Sequence, residues 1–88
     1  MKLKEGFVLR KVAGTYVVVA IGAEAKKHNV MITLNETGGL LWEKLAEGAD
    51  KDALVKFILD TYEIDEATAK ADVEKFIAKV DAEGLLAE

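Results

Sequence analysis

His28 is the chain's one imidazole, and it stands in the run Lys26-Lys27-His28-Asn29. Acid–base catalysis or a metal centre needs further donors positioned beside such a group. The nearby acid is Glu24, and no second imidazole exists to join it. His28 therefore reads as a surface histidine. The chain has no Cys, which removes disulfides, thiolate metal sites and thiol catalysis together. It also has no Ser, Gln or Pro and a single Arg, Arg10. Carboxylates are plentiful, but in the second half of the chain they alternate with Lys as they do on solvated helix faces. One pattern remains, the pair Gly38-Gly39 near the start of a helical stretch. Glycine-rich helix starts can cradle phosphate. Here there is no G-x-G-x-x-G, no G-K-[ST] and no parallel β-α-β pattern around them. These residues describe no active site, no metal site and no cofactor site, and the chain reads as a protein that is not an enzyme.

The elements that surround these residues divide cleanly. Phe7 to Val12, Tyr16 to Ala20 and Asn29 to Leu34 have the period-two, β-branched character of strands. Ala13-Gly14-Thr15 supplies a short turn between the first two, so the expectation is a three-stranded antiparallel meander. Beyond residue 35 the period becomes helical. Asn35 caps a first helix that Gly48 ends; Thr33 with Glu36 offers a rival capping box. Asp50 caps a second, with Leu54, Val55, Ile58, Leu59 and Tyr62 inward. Asp65 caps a third that runs to about Glu83, with Ala69, Val73, Phe76, Ile77 and Val80 inward and Gly84 as its stop. The expected fold class is α+β, a three-stranded antiparallel sheet followed by three helices in a winged-helix-like arrangement. At 88 residues the chain is expected to form one domain, residues 1–88. In this frame Gly38 lies on the buried stripe with Gly39 beside it. A missing side chain there lets the helix backbone approach its neighbours closely.

Charge narrows the partner classes. Residues 1–35 carry six cations against two carboxylates, a net +4, and residues 36–88 carry six against fourteen, a net −8. Readers of DNA gain affinity from cations on phosphates, with Arg prominent at base edges. One Arg and a strongly acidic helical half oppose nucleic-acid binding. The apolar run Tyr16 to Ile21 is too short to span a bilayer, and no targeting segment is visible. A cytoplasmic protein without membrane contact is the expectation.

The sheet supplies the remaining surface. A meander leaves two edge strands with unpaired N–H and C=O groups. Arg10 and Lys11 guard the first strand, whereas Asn29-Val30-Met31-Ile32-Thr33-Leu34 has no charge and no proline. Val30, Ile32 and Leu34 are expected to face the helices, with Met31 and Thr33 facing the other way. Such an edge is either covered by the protein's own chain or completed by a guest strand.

Leu34-Asn35-Glu36-Thr37, then Leu41-Trp42, then Ala71-Asp72-Val73 with Phe76, and finally Glu83-Gly84-Leu85-Leu86 fall in an order that resembles the small PqqD-like proteins. These are also called RiPP precursor peptide recognition elements. The resemblance runs from about Gly6 to Leu86, and the connection from Ile21 to His28 looks longer than is usual among them. It implies a non-catalytic, cofactor-free module that holds the leader segment of a ribosomally made precursor peptide for a modifying enzyme, often a radical S-adenosylmethionine enzyme. In that family the leader adds as a strand beside the third strand, in a groove walled by the third helix. Carried onto this chain, the peptide-binding residues are Val30, Met31, Ile32 and Thr33 on the strand and Ala69, Asp72, Val73 and Phe76 on the helix.

Magnitudes constrain the guest. Two to four added backbone hydrogen bonds at about 1 kcal/mol each roughly cancel the ordering cost of about 1–2 kcal/mol per residue. Affinity must come from apolar leader side chains, each contributing about 1.5–3 kcal/mol when fully buried, with Val73 or Phe76 expected to receive them. Two rivals are a winged-helix DNA reader and a homodimer paired through the same edge. The strand Tyr16 to Ile21 is apolar on both faces, which keeps the dimer in play, so a monomer and a homodimer both stay open.

Overall fold

The structure is a computed structural model, and it describes residues 1–22, 25, 26 and 31–87. The first two strands are β1 (Phe7–Val12) and β2 (Thr15–Ala20), antiparallel from Phe7 opposite Ala20 to Val12 opposite Thr15. Ala13 and Gly14 turn the chain between them with φ of +51° and +82°. Two consecutive positive φ values make this a type I′ turn, whose twist matches that of the strands it joins. The third strand, β3 (Met31–Leu34), pairs antiparallel with β2, giving the order β1-β2-β3. Of the expected strand Asn29 to Leu34, the first two residues lie outside the described residues, as does His28. So do residues 23, 24 and 27 of the connection from Ile21 to His28.

The turn fixes which backbone groups point where. Closing a two-residue hairpin makes Val12 and Thr15 a hydrogen-bonded pair, and such pairs alternate along an antiparallel ladder. Thr15, Val17 and Val19 therefore turn their backbone groups to β1, and the Ile21 N–H donating to the Gly6 carbonyl at 2.8 Å continues the same series. Tyr16 and Val18 turn theirs to β3, where they face Leu34 and Ile32. Met31 and Thr33, opposite Val19 and Val17, must then direct their N–H and C=O groups away from the sheet.

Three helices follow, α1 (Glu36–Ala46), α2 (Lys51–Thr61) and α3 (Glu66–Ala82). Each begins at a side chain that accepts a backbone N–H from the first turn. Asn35 accepts from Gly38, Asp50 from Ala53 and Asp65 from Thr68. Asn35 is thus the cap of α1, ahead of the Thr33–Glu36 alternative. The Thr68 side chain first and the Thr68 backbone second hold the ionised Asp65 below the ordinary carboxylate value of 3.8. At the far end of α3, Gly84 adopts φ +71°. Its N–H bonds the Asp81 carbonyl while the Leu85 N–H bonds that of Val80. This left-handed closing turn sends the chain back over the core.

The buried side chains form one connected cluster. Val18, Ile32 and Leu34 enter it from the sheet, Leu41, Trp42 and Leu45 from α1, Leu54, Val55 and Ile58 from α2, and Ala69, Val73, Phe76 and Val80 from α3. Leu85 joins them and is 1% exposed. The chain ends are tied together: Leu3 and Leu86 bridge antiparallel, Lys4 N–H donates to the Leu85 carbonyl, and Ala87 N–H donates to that of Lys2. Lys2, Leu3 and Glu5 lie across a shallow recess from Leu45 to Gly48, at the C-terminal end of α1. On the other face of the sheet, Val12 stands 57% exposed.

Candidate functional site

Among the described residues no strand pairs with the outer side of β3. Its outward groups are the N–H and C=O of Met31 and Thr33, and one of the four is engaged. The Lys79 ammonium on α3 donates to the Thr33 carbonyl at 2.7 Å. An alternation of inward side chains produces this edge. Ile32 and Leu34 are held in the core, which fixes the strand's rotation and leaves Thr33 exposed on the opposite face.

Next to that edge is a cleft of about 190 Å³. Leu34 and Asn35 at the end of β3 form one side, with Thr37, Gly38 and Leu41 of α1 as floor. Asp72, Lys75, Phe76 and Lys79 of α3 form the opposite wall. The cleft is smaller than the roughly 300–1,000 Å³ of small-molecule sites, and suits the side chains of an extended chain better than a cofactor. Asn35 keeps its shape in two ways. Its side chain caps α1 through the Gly38 N–H at 2.7 Å, and its carbonyl accepts from Gly39 at 2.9 Å. Among the described residues no three His, Cys, Asp or Glu side chains group as metal donors. No helix among them is long and apolar enough to cross a membrane.

The residues expected at a peptide site divide between this cleft and the core. Asp72 and Phe76 line the cleft. Met31 and Thr33 supply the outward backbone groups, Ile32 faces the core, and Val30 lies outside the described residues. Ala69 and Val73 are each 0% exposed and belong to the buried core. Phe76 serves both, at 5% exposure with one edge on the cleft. The helix face on the cleft is thus Asp72, Lys75, Phe76 and Lys79, spaced i, i+3, i+4, i+7. The apolar stripe 69, 73, 76, 80 lies one position round from it. Lys75 and Lys79 line the cleft but stand outside the residues expected from the sequence, which follow the apolar stripe. The signal available was that two lysines recur with Asp72 on a second face that shares only Phe76.

Residues 10–86 match the family of coenzyme PQQ synthesis protein D (PqqD). No curated protein matches the sequence. Among solved structures, TbiB1 in complex with the TbiA(beta) leader peptide superposes with a TM-score of 0.78 at 22% identity, covering 99% of this chain and 95% of that one. Lasso peptide synthetase B1 complexed with the leader peptide gives a TM-score of 0.73 at 18% identity, covering 96% and 93%. At those identities the two structures establish a shared fold, three antiparallel strands and three helices in the expected order. Since the family match spans most of the length, from the middle of β1 to the residue that bridges Leu3, the chain belongs to the PqqD family.

Proposed function

We propose that residues 1–88 act as a non-catalytic peptide-recognition module in the cytoplasm. The module takes the leader segment of a ribosomally synthesised precursor as a fourth strand on β3 and presents it to a modifying enzyme. The observation that carries this reading is the outer side of β3, which no strand pairs among the described residues, with a cleft running from its end along α3. Strand addition needs both parts. The outward groups of Met31 and Thr33 give register and direction, and the cleft beside Phe76 accepts an apolar side chain that supplies the affinity. Family membership and two like-folded proteins solved with leader peptides support it.

The test is an amide NMR titration of the 15N-labelled protein. The probe is a synthetic peptide copying the leader of the precursor encoded nearest to this chain's gene. Shifts concentrated at Thr33, Lys75 and Lys79 are expected, with Arg10 and Lys11 on the opposite edge unmoved. Shifts confined to β1, or no shifts at millimolar peptide, overturn the proposal. Truncating Phe76 is a poor substitute for this experiment. Removing a buried Phe costs about 3–5 kcal/mol of stability, so lost binding would report unfolding as readily as a lost contact.

A further inference from the structure

The Lys79 ammonium stands where an added strand has to bond. In an antiparallel pair the guest residue opposite Thr33 donates its N–H to the Thr33 carbonyl, the acceptor that Lys79 now holds at 2.7 Å. Seating a guest therefore displaces a cation from a good hydrogen bond into a cleft whose walls include Leu34 and Phe76. A seated guest also shields the groove from water, so the exposed ammonium gives up its hydrogen-bond partner and part of its hydration together.

The surrounding charges say what resolves this. Lys51 and Lys70 on the helical half each pair with a carboxylate, Glu74 and Glu66 respectively. Among the described residues, Lys44, Lys56, Lys75 and Lys79 pair with none, and of these the cleft holds Lys75 and Lys79. They stand one turn apart on the cleft wall, within a half-chain of net −8. Asp72 is the cleft's other charged residue and lies two turns before Lys79, roughly 10 Å along the helix. The groove is thus negative at its Asp72 end and positive at its Lys79 end.

Building on the strand-addition reading, we infer that the guest segment carries a carboxylate beside the residue that pairs with Thr33. Lys79, the placeholder on the Thr33 carbonyl in the free protein, transfers to that carboxylate when the strand docks. A guest without the acid has to displace Lys79 uncompensated and binds more weakly. The partner class is accordingly an extended peptide with an acidic residue at a fixed offset from its apolar anchor. The lysine acts as a filter on sequence as well as a guard on an open edge.

A displayed random dodecapeptide library selected in parallel on wild-type protein, Lys79→Met and Lys79→Arg tests this. Lys79 is an exposed residue whose stem Met retains, so all three proteins are expected to fold, as circular dichroism checks. Wild type and Lys79→Arg should enrich Asp or Glu at one offset from an apolar residue, and Lys79→Met should enrich the apolar residue alone. For a peptide recovered on wild type, Lys79→Met should weaken binding about fivefold, and the peptide's own Glu→Gln change should do the same. The two changes together should cost no more than either alone. Apolar enrichment without acidic preference on wild type, or equal acidic preference on Lys79→Met, overturns the inference and leaves the strand-addition reading standing. No enrichment on any of the three folded proteins overturns that reading itself.

Discussion

Tyr16 lays its ring across Gly39, and the fit is closer than any side chain there would allow. A Cβ on Gly39 would lie 2.6 Å from the Tyr16 Cγ, at the base of the ring where rotation gives no relief. A Cβ on Gly38 would meet Leu34 Cβ and Asn35 Oδ1 at 3.2 Å, which a shift of a few tenths of an ångström accommodates. Alanine gains up to about 1 kcal/mol over glycine inside a helix, while overpacking costs about 1–3 kcal/mol. Gly39→Ala should therefore destabilise the protein, and Gly38→Ala should leave it close to neutral, as urea denaturation of the two variants will show. Equal losses would mean that the Tyr16 contact does not set the spacing of α1 from the sheet. Both glycines were legible as close-packing residues from the sequence. Which of them is the tighter was not, because that depends on Tyr16 turning inward opposite Leu34, a consequence of register.

At the scale of elements, the strands and helices were legible because period, caps and stops agreed. Asn35, Asp50 and Asp65 cap where expected, and Gly48 and Gly84 stand just past the helix ends, both with positive φ. The candidate site was half legible. An uncharged third strand announced an open edge, but α3 carries two useful faces and the apolar one dominates its pattern. Val73 or Phe76 is expected to receive a guest side chain; Val73 is buried in the core and Phe76 reaches the cleft, because a helix this central spends its most apolar stripe on its own protein. The cap of α3 also leads to a pH prediction. Asp65 has a folded-state value below the ordinary 3.8, so its stabilising effect is complete above the unfolded value and is lost as pH falls through the folded one. Asp65→Asn keeps a capping oxygen and removes the titration. Thermal unfolding of the variant should follow wild type closely near neutrality and lose less stability than wild type below pH 3.8. Parallel acid limbs would show that the Thr68 contacts do not favour the ionised cap.

Taken whole, the molecule is held shut by its ends as well as its middle. Leu85 is 1% exposed, placed there by the closing turn at Gly84 and by backbone bonds to residues 2–4. Leu85→Ala should cost about 2–5 kcal/mol, a large share of the roughly 5–15 kcal/mol that holds a small domain together. A shift in denaturation midpoint of that size is expected from a residue so near the end of the chain. A loss well under 1 kcal/mol would show the ends to be decoration on an already complete core. The paired ends have a further consequence. They lie by Leu45 to Gly48, whereas the cleft is floored by Thr37, Gly38 and Leu41, about 6 to 10 Å up the same helix. A tether to another protein, a fusion partner or an affinity tag could leave from either terminus without crossing the groove. On the strand-addition reading, chain attached at either end would leave the peptide groove undisturbed.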